Sequence, residues 1–167
     1  GEPRAFDEIS PQLFAMFYLV DTTRENGCLR VIPGSHRKRH PLHDQLDNAH
    51  SEASRRMDDP DSPLYSSVPD ECAVPARAGD LVLGDGRALH AAHANSTDCE
   101  RPLITIWYHP YFSRLREGTQ RQIAELARAE VEHWPEQNRR TVAPIIAEYG
   151  GNASPLPRDR VPGPEFI

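Results

Sequence analysis

Gly79–Arg101 reads GDLVLGDGRALHAAHANSTDCER, and the fold turns on how this stretch is divided. Asp80–Leu83 is a short apolar run of the kind that pairs in a β-sheet. Asp85-Gly86 is a turn dipeptide, because glycine accepts positive φ without a Cβ clash. Leu89–Ala91 then forms a second strand that carries His90 among small residues, which leaves room beside the ring. Asn95–Asp98 supplies further turn chemistry, and Arg101 heads the apolar run Leu103–Tyr108. A neutral imidazole is a good ligand for a first-row metal, and a guanidinium fork matches a carboxylate. One sheet can hold both groups over the same cavity. A lone histidine on a strand is more often a packing residue, and these residues alone leave both roles open.

Working outward, Leu13–Val20 (LFAMFYLV) is a near-continuous apolar run bounded by Pro11 and Asp21, the length of a buried strand. Its alternation puts Leu13, Ala15, Phe17 and Leu19 on one face. Asp21–Gly27 is turn-rich, and Asn26-Gly27 is the strongest hairpin signal in the chain, so Leu13–Val20 and Cys28–Ile32 are expected to pair as a β-hairpin. Residues 37–71 are charged, punctuated by proline and without steady periodicity. A stretch of about 35 residues of this kind in a compact domain reads as a lid-like loop. Its histidines, His40, His43 and His50, are flanked by Arg37, Lys38, Arg39 and Arg55, which repel a cation, so a solvated loop is the expectation there. Cys72–Ala76 leads into the central stretch as another strand, and Pro102–His109 is the last, with Arg101, Leu103, Thr105, Trp107 and His109 on one face.

After Pro110 the period changes. Thr119 with Gln122 resembles a capping box, and Ile123, Leu126, Ala127, Val131 and Trp134 follow helical spacing, so a helix is expected over 119–133. A second helix is expected over 136–149, interrupted at Pro144, before a proline-rich, extended tail from Ser154. The 167 residues are enough for one domain, with 38% apolar residues, 16 prolines and 10 glycines pointing to turns and strands rather than a helical bundle. A net charge of −6 argues against nucleic acid as a partner. No run is long or apolar enough to span a membrane. Cys28, Cys72 and Cys99 are odd in number and widely spaced, which argues against a disulfide framework and makes a reducing cytoplasm the expected location.

Two blocks resemble the phytanoyl-CoA dioxygenase family of Fe(II)- and 2-oxoglutarate-dependent oxygenases. One is Glu25–His36, ENGCLRVIPGSH; the other is the central stretch, with Arg101 eleven residues after His90. The resemblance implies a mainly β fold, a double-stranded β-helix (jelly-roll, cupin-like) with helices packed outside it. Residues 1–110 would be the C-terminal part of that domain, and 111–167 a helical extension ending in the proline-rich tail. It implies that His90 ligates Fe(II), that Arg101 binds the far carboxylate of 2-oxoglutarate, and that Phe17, or Met16 beside it, lies against that co-substrate. His93 competes with His90 for the metal, but only His90 has the eleven-residue relation to Arg101. His36 is expected to make a structural hydrogen bond.

The partners implied are O2 and a small-molecule substrate. The family's remaining ligands, an H-x-D pair, precede the equivalent of Leu13–Val20; the only H-x-D/E here is His50-Ser51-Glu52, on the wrong side of the signature. The domain is therefore expected to be incomplete at its N-terminal side. A halogenase, with a small residue in place of the acidic ligand, and a metal-free binding domain are alternatives, and the deciding positions are not in these residues.

Overall fold

The structure, a computed structural model, describes residues 9–45 and 65–157. The strands are β1 (Leu13–Tyr18), β2 (Leu29–Val31), β3 (Cys72–Val74), β4 (Leu81–Asp85), β5 (His90–Ala92) and β6 (Leu103–Tyr108). They form two antiparallel sheets, ordered β4-β1-β6 and β3-β2-β5. Among the described residues the chain changes sheet after β1, β3, β4 and β5, while β2 and β3 lie in the same sheet. That alternation is the topology of a partial jelly-roll, a double-stranded β-helix. Helices stand outside the sheets: a single turn α1 (Leu42–Gln45), then α2 (Glu117–Val131) and α3 (Glu136–Val142) after the last strand.

The expected hairpin between β1 and β2 is not formed, because the two strands lie in different sheets. Asn26 instead folds the connection on itself. Its Oδ1 accepts the Thr23 N–H at 2.7 Å, its Nδ2 donates to the Asp21 carbonyl at 2.9 Å, and Cys28 N–H reaches the Thr23 carbonyl at 2.7 Å. Gly27 follows with φ +91°, a left-handed conformation that favours glycine. Turn chemistry here steers the chain from one sheet to the other, with isolated bridges Thr22–Ala76 and Asn26–Asn95 on either side. The Asp85 turn behaves likewise: Ala88 N–H bonds to the Asp85 carbonyl at 3.0 Å, and the chain leaves β4 for the other sheet.

Register explains the unbroken apolar run of β1. Phe14, Met16 and Tyr18 pair across to Trp107, Thr105 and Leu103 and face inward, where Phe14 and Tyr18 are buried. The other face sets Phe17 beside Leu81 and Ile104, and Ala15 beside Leu83 and Ile106. It too is apolar, so the strand shows no polar alternation, as in sheets apolar on both faces.

Thr119 and Gln122 do not form a capping box. The helix starts earlier, with Arg116 at its N-cap and no side-chain cap bond, while Thr119 is buried on the face that also buries Ile123 and Ala124. Burial of that hydroxyl removes it from the helix end. α3 stops at Val142 in a 3-10 turn, Ala143–Ile145, that contains Pro144. The tail is irregular as far as it is described, and Leu156 N–H bonds to the Gly118 carbonyl at 3.0 Å. Of the stretch read as a lid, residues 46–64, with His50 and Glu52, lie outside the described residues. Residues 65–71 are tied to β2: Arg30 Nη1 donates to the Ser66 carbonyl and to Glu71 Oε2, both at 3.0 Å.

The Arg30 and Glu71 side chains are only 9% and 8% exposed. Breaking a buried pair strands the surviving charge and costs about 3–5 kcal/mol. Arg30→Ala should therefore lower the urea-unfolding free energy by about that amount, well beyond the about 0–1 kcal/mol of a surface pair such as Arg140–Glu136.

Candidate metal and co-substrate site

His90 opens β5, opposite Val31 of β2. The backbone just before it is held from both sides. Ile32 N–H donates to the Leu89 carbonyl at 3.0 Å, and Leu89 N–H donates to Ser35 Oγ at 2.8 Å. Ser35, 2% exposed, passes its own proton to the Ile32 carbonyl at 2.7 Å, so this buried hydroxyl is fully used. The His90 ring is fixed by a 2.7 Å contact from Nδ1 to the Ala88 carbonyl. A carbonyl can only accept, so Nδ1 carries a hydrogen, and in the neutral form of the ring the lone pair is on Nε2. That is the tautomer a metal ligand needs.

Phe14 packs on His90 with ring centroids 5.0 Å apart, and Trp107 lies 5.5 Å from Phe14, edge-on, and 6.4 Å from His90. Gly84 makes this possible. A Cβ there would come within 2.0 Å of Phe14 Cζ, so the ring occupies the space that a side chain on β4 would fill.

Arg101 is half-buried just before β6. Its Nε would lie 3.3 Å from a Cβ on Gly27, which would also meet the His93 carbonyl at 2.9 Å; only a residue without a side chain fits between them. The guanidinium charge reaches the buried Tyr18 and Cys28. Burial raises the pKa of the Tyr18 phenol, with Arg101 pulling the other way. Burial likewise raises the Cys28 thiol against Arg24 and Arg101. Among the described residues the Arg101 guanidinium has neither an ion pair nor a hydrogen bond, whereas Arg30 donates from Nη1 to Glu71 and Ser66. Tyr18 and Leu103 are cross-strand partners, so Arg101, two residues before Leu103, enters the interior from that end of the sheet.

The other candidates fall elsewhere. Phe17 stands on the face of β1 opposite Phe14 and is 40% exposed, so the structure does not bring it to His90; the inward residues are Phe14, Met16 and Tyr18. His93 is turned to Glu71, 3.9 Å from Oε1, away from the Phe14–His90 stack. In the PGSH turn the buried hydrogen bonds belong to Ser35, not His36. The signal for Ser35 was present in its type and place, since a hydroxyl just after a Pro-Gly turn often bonds nearby backbone. The three cysteines are free. Among the described residues no three His, Cys, Asp or Glu side chains gather to hold a metal, so His90 fits a metal as one ligand of a set whose other members are not there. No helix among them is long and apolar enough to cross a membrane.

A family model described as phytanoyl-CoA dioxygenase matches residues 5–103, which include His90 and Arg101. The chain is 33% identical over 91 residues to phytanoyl-CoA dioxygenase 1 of Oryza sativa subsp. japonica, covering 53% of this chain and 29% of that protein. It is 29% identical over 102 residues to dioxygenase sphC of Aspergillus fumigatus, covering 61% of this chain and 22% of that protein. The matched part thus spans less than a third of the length of these relatives. Among solved structures it is similar to HygX from Streptomyces hygroscopicus with nickel and 2-oxoglutarate bound, at 28% identity and a TM-score of 0.48, covering 61% of this chain and 37% of that one.

Gly84→Ala forces the Phe14 ring out of its place, and overpacking of this kind costs about 1–3 kcal/mol. Combining Gly84→Ala with Phe14→Leu should recover part of that loss. The check is a double-mutant cycle on the unfolding free energy, with a coupling of about 0.5–3 kcal/mol expected for residues in contact.

Proposed function

Because the chain belongs to the phytanoyl-CoA dioxygenase family, whose members use Fe(II) and 2-oxoglutarate, we propose that it supplies the iron-ligating histidine, His90, and the co-substrate arginine, Arg101, of such an oxygenase. The observation that carries this reading is a half-buried guanidinium with no protein partner among the described residues, at the head of β6 in one sheet, together with an imidazole on β5 of the other sheet whose Nε2 makes no hydrogen bond among them. Iron bound there would supply O2 activation coupled to the oxidative decarboxylation of 2-oxoglutarate. O2 and a small molecule are the remaining partners, and oxidation of a C–H bond of that small molecule is the proposed outcome.

The chain's own residues have distinct tasks. Ala88, through its carbonyl, sets the His90 tautomer; Phe14 and Ser35 hold the ring and its backbone in place. Arg101 orients the co-substrate by its far carboxylate. Gly27, packed against Arg101, stands just before β2, whose Val31 is the partner of His90. β5 and β6 are edge strands of their sheets. A strand added beside β5 would bring its residues alongside His90, and an H-x-D pair on it would put both ligands on one face. We assign the rest of the ligand set to such a strand, contributed by polypeptide beyond these residues.

Loss of a bidentate, charge-assisted contact in a partly desolvated site costs about 2–5 kcal/mol. In the full-length protein, Arg101→Ala should raise the 2-oxoglutarate requirement roughly 30-fold or more, at tenfold per 1.4 kcal/mol. Arg101→Lys should restore only part of it, because a point charge does not reproduce the planar fork. His90→Ala should instead abolish iron-dependent consumption of 2-oxoglutarate at every concentration. An Arg101→Ala variant with unchanged 2-oxoglutarate dependence would sink the assignment.

A further inference from the structure

The sheet β4-β1-β6 has a second face, and that face is apolar too. Phe17 stands between Leu81 and Ile104, and Ala15 between Leu83 and Ile106, so two rows of apolar side chains run across all three strands. Ala15 is shut in by its neighbours at 6% exposed, whereas Leu83 is 60%, Ile104 52% and Ile106 48% exposed. Single surface leucines are ordinary, but rows in register over three strands are not. An antiparallel sheet with one face in water alternates apolar and polar residues; a sheet apolar on both faces is the middle layer of three. The layer on the inner side is β3-β2-β5. On the outer side neither α2 nor α3 closes the face, since those side chains stay open.

Size and shape identify what fits there. Three strands about 4.8 Å apart span roughly 10 Å, the width of one α-helix of about 10–12 Å diameter. Five residues of β1 pair with β4, about 17 Å of strand, or roughly 11 residues of helix. At roughly 200 Å² for a large apolar side chain, five that are about half open leave on the order of 500 Å². That is short of the ~800 Å² per partner of a standard interface between separate chains, which must also offset the lost freedom of two bodies. A segment of the same polypeptide has only a loop to close. The matched residues are 29% and 22% of the two relatives named above, so such proteins hold ample further chain to supply it.

We propose that the outer face of β4-β1-β6 is the docking surface for an amphipathic α-helix of about three turns, carried by the full-length protein beyond these residues. Its apolar side chains, spaced three and four apart, lie on Phe17, Leu83 and Ile106. The inference stands whether or not His90 holds a metal.

The test places the photo-crosslinker p-benzoylphenylalanine at Leu83 or, separately, at Ile106 of the full-length protein, with Ile145, 83% exposed, as the control position. The expected result is a cross-link at monomer mass from both sheet positions, mapped by mass spectrometry to one segment with helical apolar spacing outside residues 1–167, and none from Ile145. A product of doubled mass means that a second copy covers the face. A cross-link within residues 1–167 means that this chain covers it, and a mapped segment without helical spacing means that no helix does. Each of these overturns the inference. A second readout uses the natural protein. Hydroxyl-radical footprinting of the full-length chain should label Phe17 several-fold less than Tyr111, although the two are 40% and 47% exposed among these residues. Equal labelling of the two rings, or no cross-link from either sheet position, shows an open face and sinks the proposal.

Discussion

β1 is hydrogen-bonded along both edges, to β4 on one side and β6 on the other. This double pairing is the constraint from which the site follows. A slip of one residue would exchange the faces of the strand, sending Phe14 and Tyr18 out and Phe17 in. His90 would then lose its packing partner, and Trp107 would lose the ring that holds it edge-on. The match of Phe14 with Gly84 pins the register, because only that position on β4 has room for the ring.

Two arginines show how the same side chain serves opposite ends. Arg30 is sealed beneath the 65–71 segment with both of its named acceptors supplied by protein, and its work is to hold that segment down. Arg101 is placed by close packing against Gly27 rather than by a carboxylate. Among the described residues it has no counter-ion, and a half-buried charge without one is costly for folding.

Much of this was legible before any coordinates. The apolar runs read at 13–20, 80–83 and 103–108 hold the strands β1, β4 and β6, and the change of period after Pro110 marks helices. Alternation reports which residues share a face; it does not report which strands are neighbours. That is why Asn26-Gly27 suggested a hairpin where the chain in fact crosses between sheets. The face of β1 was ambiguous for a related reason: a run apolar at every position carries no polar marker of the outside, so Phe17 and Phe14 look alike until Gly84 is set opposite Phe14. Thr119 misled because a hydroxyl near a helix start reads as a cap, whereas here it lies on the buried face.

The crossing topology also governs how the protein is made. Leu13 pairs with Asp85 and with Tyr108, about 70 and 95 residues downstream. At synthesis rates of 5–20 residues per second, an emerging β1 waits roughly 4–20 s for its neighbours to leave the ribosome. Throughout that interval a strand apolar on both faces has open edges, the condition that favours pairing with the wrong chain. Long-range contacts of this kind also slow folding itself, since loop closure must precede any gain from the sheet. Expression of the protein should thus be more sensitive to translation rate and chaperone supply than to the stability of the finished fold.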